Sequence, residues 1–181
     1  FALKEQYVDK NLPEIAIAGK SNVGKSSFIN MLCNNNKLSR VGQKPGKTIL
    51  INAFKINDSF YLMDFPGYGF AKVSDKEKER WASLMEGYLS ISKQLKCVVL
   101  LLDIRHDPTA QDIQMIKWLS YYHIPFIVGA TKADKIGTSQ IHKALKNISV
   151  KTGIILNQII PVSSEKRTGK EEILARIEEM L

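Results

Sequence analysis

At 181 residues with 44% hydrophobic side chains, the chain is long enough to bury a real core and short enough for one domain. The longest apolar run, Cys97-Val98-Val99-Leu100-Leu101-Leu102, is strand-sized, well short of the roughly 20 apolar residues of a membrane helix. A net charge of +8 exceeds what one polyphosphate ligand needs; it points to a polyanionic partner, RNA first, with a solvated basic surface as the plainer alternative.

The chain opens on Phe1 rather than Met and shows no signal-peptide pattern, so a cytosolic protein lacking a short leading piece is expected. Residues 1–13 read as a short extension of a single domain spanning 1–181. Ile15-Ala16-Ile17-Ala18 reads as a buried strand over 14–18. It runs into Gly19-Lys20-Ser21-Asn22-Val23-Gly24-Lys25-Ser26, a match to the phosphate-loop pattern G-x-x-x-x-G-K-[ST]. Ser27 and the apolar residues after it continue a helix over 25–34. Strand, glycine turn and helix N-terminus together aim backbone N–H groups and a helix dipole at one point. Lys25 would reach the β- and γ-phosphates, and the Ser26 hydroxyl would ligate Mg²⁺.

Residues 36–47 read as a loop carrying Lys37, Arg40, Lys44 and Lys47 and no acid. It ends in Pro45-Gly46-Lys47-Thr48, where Thr48 would add an oxygen to Mg²⁺ once a γ-phosphate orders the loop, or would simply start the next strand. Strands over 49–56 and 59–64 flank a hairpin turn at Asn57-Asp58. The second of these strands ends in Asp64-Phe65-Pro66-Gly67. Asp64 is placed to hold Mg²⁺ through water, and Gly67 to offer its N–H to a γ-phosphate; a turn residue is the bland alternative for the carboxylate.

A helix over 76–92, a strand over 96–103 and a helix over 110–122 follow. The strand over 125–131 leads into Thr131-Lys132-Ala133-Asp134. Asp134 would accept hydrogen bonds from N1–H and N2–H₂ of guanine, a pair adenine lacks. The Lys132 stem would lie along the base with its ammonium wet. After a helix over 139–152, a strand over 158–162 ends at Val162 and opens into Ser163-Ser164-Glu165, a turn whose N–H groups would meet guanine O6. The last helix covers 170–180. The sum is a doubly wound α/β sheet of six strands, mostly parallel with one antiparallel edge strand, and helices on both faces. Cys33 and Cys97 read as reduced core thiols, and His106, His123 and His142 form no ligand or triad spacing.

In this order the motifs resemble the translation-factor-related P-loop GTPases, and within them the EngB (YsxC-type) ribosome-biogenesis GTP-binding family. The resemblance rests on GKSNVGKSSFIN, KPGKTILIN, DFPGYGFAKVS, DIRHDPTAQD, TKADK and PVSSEKRTG, from Ile15 to the last helix. Segments 65–74 and 103–112 are not general GTPase features and favour this family. The resemblance implies a Ras-like fold, GTP and GDP binding, slow GTP hydrolysis to GDP and phosphate, and Mg²⁺. It also implies a role in assembly of the large ribosomal subunit, with its rRNA and proteins as partners, a cytoplasmic location, and a link to cell division and septation. Nucleotide-binding positions are then Gly19, Lys20, Ser21, Asn22, Val23, Gly24, Lys25, Ser26 and Ser27, with Gly46, Lys47 and Thr48. They continue with Asp64, Phe65, Pro66 and Gly67, then Thr131, Lys132, Ala133 and Asp134, and end with Val162, Ser163 and Ser164. The metal positions are Ser26, Thr48 and Asp64, and the catalytic ones Lys25, Thr48, Gly67 and Asn22.

Ras-like enzymes set a water-orienting glutamine after the D-x-x-G glycine; here that residue is Tyr68, so intrinsic turnover on the order of 10⁻³ per second or slower is expected. Asn22 matches the position where some related GTPases hold K⁺, and equally suits turn geometry. γ-Phosphate and Mg²⁺ would order 36–48 and 64–80. Lys72, Lys76, Lys78 and Arg80 are nearly neutralised by Asp75, Glu77 and Glu79, so the first loop and 135–151 are the better RNA-facing candidates. Two other readings remain open. One is a small-molecule kinase or ATPase, which Thr131–Asp134 and the lack of a lid domain oppose. The other is an RNA-binding module with a vestigial nucleotide site, which the complete motif set opposes.

Overall fold

The computed structural model describes residues 11–39, 51–69 and 74–181. In chain order these form β1 (Glu14–Gly19), α1 (Lys25–Leu32), β2 (Asn52–Ile56), β3 (Phe60–Asp64), α2 (Asp75–Ile91) and β4 (Leu95–Asp103). They continue with α3 (Ala110–Tyr121), β5 (Phe126–Thr131), α4 (Thr138–Thr152), β6 (Ile159–Pro161) and α5 (Lys170–Glu178). The strands make one sheet in the order β2-β3-β1-β4-β5-β6. Among the strands of the described residues only the β2–β3 pair is antiparallel. Its turn puts Asn57 at φ 48° and Asp58 at φ 56°, the left-handed pair that a tight hairpin needs and that Asn and Asp tolerate.

Residue alternation along the central strands sorts the core. Ala16, Ala18, Val98, Leu100 and Leu102 face one side, where Met85 and Leu89 of α2, Met115 and Leu119 of α3 and Leu145 and Ile148 of α4 cover them. Ile15, Ile17, Val99 and Leu101 face the other side, against Phe28 and Ile29 of α1 and Ile173 and Ile177 of α5. A period of two therefore places a separate apolar layer on each face, and both faces must be covered by helices. Fully burying Ile173 alone is worth about 1.5–3 kcal/mol.

β1 lies between β3 and β4, so the chain leaves it in one direction and later returns on its other side. That reversal opens a crevice beyond the carboxyl ends of the parallel strands, where ligands of such sheets bind. Element boundaries differ from the sequence expectation by a few residues. α1 closes at Leu32 because Asn34 takes φ 50° and Asn35 N–H donates to Asn30 O at 3.0 Å. β6 ends at Pro161; beyond it Ser163 N–H turns to Thr168 O at 3.2 Å.

Candidate guanine-nucleotide site

The phosphate loop joins β1 to α1 at the crevice. Gly24 has φ 100° and its carbonyl accepts from Phe28 N–H at 2.9 Å, so it turns the chain and starts the helix at once. An L side chain is strained there, while glycine takes that backbone freely. Asn22 has φ 64°, a conformation Asn tolerates better than most residues. Ser26 and Ser27 lie half-buried on the first turn of α1.

Asp64 ends β3 and is buried. Its Oδ1 is ion-paired with Lys25 Nζ, and Oδ2 accepts from Ser39 Oγ at 3.4 Å. The sheet thus brings together a cation, a carboxylate and the Ser26 turn from segments well separated in sequence. Hard oxygen donors, one carboxylate and one hydroxyl, suit Mg²⁺, which keeps waters and takes the rest of its shell from phosphates. Among the described residues no cluster of three His, Cys, Asp or Glu could hold a metal without such help.

The segment after Asp64 is locked to the phosphate loop. Ser21 N–H donates to Tyr68 O at 2.7 Å, and Tyr68 N–H to Gly19 O at 3.4 Å. A Cβ on Gly67 would sit 3.2 Å from Ser21 Oγ, so the two backbones are in close contact. Phe65 packs edge-on against Tyr88 in the core, and Pro66 O accepts from Trp81 Nε1 at 2.8 Å. These two residues anchor the segment by side-chain packing and a carbonyl, while Gly67 remains next to the loop. Tyr68 is buried, and its hydroxyl donates to buried Asp112 Oδ1 at 2.6 Å. Burial, and then the Asp112 carboxylate, push that phenol well above its usual range.

The turn from Thr131 to Asp134 follows β5. Thr131 Oγ1 donates to Val23 O at 2.7 Å and so ties this turn to the phosphate loop. Lys132, at φ 62°, points Nζ at Asn22 O, 2.7 Å away, and at Asp103 Oδ2, 2.9 Å away. Its ammonium is therefore held by two protein acceptors while staying partly exposed. Burial pulls the Asp103 carboxyl up, but hydrogen bonds from Arg105 and Lys132 outweigh it and hold the group well below the usual carboxylate range.

Asp134 Oδ1 accepts from Ser163 Oγ at 2.7 Å. Its buried Oδ2 faces Lys135 Nζ at 2.9 Å without hydrogen-bonding geometry. Lys135 and then Ser163 hold the carboxyl down to about 2. Ser163 spends its N–H on Thr168, leaving Ser164 and Glu165 as that turn's amides without a backbone acceptor among the described residues. Ala133 N–H donates to Val162 O at 3.0 Å, joining the two turns, while the Val162 side chain faces the core.

A protein-family profile described as "50S ribosome-binding GTPase" matches residues 14–132. Over 178 residues the chain is 49% identical to the probable GTP-binding protein EngB of Geobacillus sp. (strain WCH70), covering 98% of this chain and 92% of that one. Over 172 residues it is 51% identical to the probable GTP-binding protein EngB of Clostridium perfringens (strain 13 / Type A), covering 94% and 87%. The chain belongs to the EngB GTP-binding protein family. A crystal structure of a probable GTP-binding protein EngB superposes with TM-score 0.77 at 26% identity, over 92% of this chain and 97% of that one. An Aquifex aeolicus Era variant bound to GDP·AlF₄⁻ gives TM-score 0.74 at 25% identity, over 94% of this chain and 57% of the other.

As an EngB-family GTPase the protein binds and hydrolyses GTP, and its crevice gathers the expected segments at one end of the sheet. Gly46, Lys47 and Thr48, with Arg40, Lys44 and Lys72, lie outside the described residues. Sequence reasoning missed Asp103 and Asp112 as site partners. Each stands beside an element boundary, Asp103 ending β4 and Asp112 opening α3, but nothing in the sequence says which side chain it meets. Cys97 is buried, and its surroundings push the thiol up to about 12; Cys33 is half-buried and raised by the same cause. His106, His123 and His142 are all exposed. No helix of the described residues is long and apolar enough to cross a membrane.

Proposed function

We propose that this GTPase is a nucleotide-controlled switch in assembly of the large ribosomal subunit, acting in the cytoplasm on rRNA-rich particles. The observation that carries the reading is the backbone lock between Gly19–Ser21 and Tyr68, since a γ-phosphate seated in the loop must be felt at once by the segment after Asp64. In this reading the loop from Gly19 to Ser27 cradles the phosphates and Lys25 spans the β- and γ-groups. Asp134 selects guanine, Thr131 and Lys132 hold the base turn against the loop, and Ser163 orients Asp134. Ser26 and Asp64, with Thr48, would hold Mg²⁺, which when bound neutralises phosphate charge. Gly67 N–H meets the γ-phosphate, and the net-basic segments 36–48 and 135–151 face RNA. The link to cell division follows the same family reading.

Two features support slow intrinsic turnover: Tyr68 stands where an amide would orient water, and its hydroxyl is held by Asp112. K⁺ held by Asn22 is part of the proposal, and equal turnover in potassium and sodium buffers would remove it. The main test is cosedimentation with purified large ribosomal subunits, in GDP and in a non-hydrolysable GTP analogue, at two salt concentrations. Stronger, salt-sensitive binding with the analogue is expected. Equal or absent binding in both states would leave a GTPase without the assembly role.

A further inference from the structure

We infer that the Ser21 hydroxyl is a catalytic group of this GTPase, holding the attacking water against the γ-phosphate in place of the usual glutamine amide. The inference rests on the phosphate-loop reading above and adds a side-chain role to it. Ser21 Oγ is buried and has no hydrogen-bond partner among the described residues. A buried hydroxyl left unpaired is unfavourable, and such exceptions concentrate where a ligand completes the bonding.

The hydroxyl also sits in the right place. Ser21 N–H is bonded to Tyr68 O at 2.7 Å, and Gly67 packs so closely that a Cβ there would be 3.2 Å from Ser21 Oγ. Ser21 Oγ therefore adjoins the backbone that meets the γ-phosphate. Meanwhile the residue that follows Gly67 cannot serve. Tyr68 turns its hydroxyl away to Asp112, 2.6 Å distant, and both residues are buried.

The chemistry asks for a group that accepts one hydrogen bond and donates another. A glutamine amide does this with two atoms, and a serine hydroxyl does it with one. In the step, the water oxygen bonds to the γ-phosphorus while the bond from phosphorus to the β–γ bridging oxygen breaks and GDP departs with that electron pair. The water proton passes to a γ-phosphate oxygen. Ser21 accepts from the water and donates to a γ-oxygen, so it neither gains nor loses a proton.

The test is Ser21→Ala, read by single-turnover GTP hydrolysis, by GDP affinity, and by binding of GDP with aluminium fluoride, which mimics the transferring phosphoryl group. Hydrolysis should fall about 10-fold or more, as when one preorganised donor is removed from a transition state. GDP affinity should stay within about twofold of the unaltered protein, and the gain in affinity from aluminium fluoride should shrink in step with the rate. A rate within twofold of the unaltered protein overturns the inference. So does a loss of GDP affinity matching the loss of rate, which would mark Ser21 as structural. Failure of the unaltered protein to hydrolyse GTP at all would overturn the hydrolytic reading itself.

Discussion

Asp134 and Lys25 are charged groups in the same crevice, held in different ways. Asp134 is oriented by Ser163 and neutralised from one side by Lys135. In the proposed role Asp134 supplies both acceptors for guanine, so GDP affinity of Asp134→Ala should fall by about 100-fold or more while ADP binding is unchanged. Calorimetric titration with the two nucleotides checks this. The pH dependence has a definite sign. The folded carboxyl is held at about 2, below its ordinary value, so its contribution is complete above roughly pH 4 and is lost only as pH falls through about 2. GDP affinity should therefore show no step from Asp134 between about pH 8 and pH 5, and a carboxylate-dependent step in that window would contradict the assignment. Lys25 instead pairs directly with buried Asp64, so Lys25→Ala strands a buried carboxylate as well as removing the proposed phosphate contact.

At the scale of elements, the β4–α3 junction couples stability to the site. Thr109 and Asp112 form a capping box at the start of α3, with Thr109 N–H donating to Asp112 Oδ2 at 2.7 Å. The other oxygen of Asp112 accepts the Tyr68 hydroxyl. One carboxylate thus closes a helix end and clamps the segment beside the phosphate loop. Asp112→Ala should cost about 2–4 kcal/mol, through a lost cap and an unpaired buried phenol. For a chain of this size that lowers Tm by roughly 4–15 °C. Thr109→Ala loses only the cap and should cost about 1 kcal/mol. Thermal denaturation of the two variants separates the contributions. Gly169 marks another junction: at φ 76°, a Cβ would lie 2.4 Å from Pro161 O, so Gly169→Ala should destabilise the entry to α5.

Across the whole molecule, the sheet aligns its strand ends while the two apolar layers hold it. Leu101 on β4 is fully buried, with Gly19 of β1 on one flank and Gly129 of β5 on the other. Leu101→Ala should cost about 2–5 kcal/mol, measured by urea denaturation, because the cavity lies between the sheet and the helices α1 and α5 on that face, which close on it only in part. GDP affinity should weaken with it, since the entry to the phosphate loop at Gly19 packs on that side chain. The core was largely legible in the sequence. The runs at Ile15–Ala18 and Cys97–Leu102 alternate between the two layers, and period two is a local property of any strand.

The motifs were legible for the same reason. A phosphate loop, a strand-end carboxylate and the turn proposed to read guanine are each made by consecutive residues, so their spacing carries the chemistry proposed for them. Their order also implied one crevice, because parallel strands put all their carboxyl ends on one side. Pairings between distant segments were beyond local pattern. Thr131 reaches Val23 across 108 positions, Lys132 reaches Asn22 across 110, and Tyr68 reaches Asp112 across 44. Only the folded chain decides which buried donor meets which acceptor, because sheet order and helix packing set those distances. The withdrawal of Tyr68 and the Ser21 hydroxyl are of this kind: the sequence names both residues, and tertiary contact alone says that one is engaged and the other unpaired among the described residues.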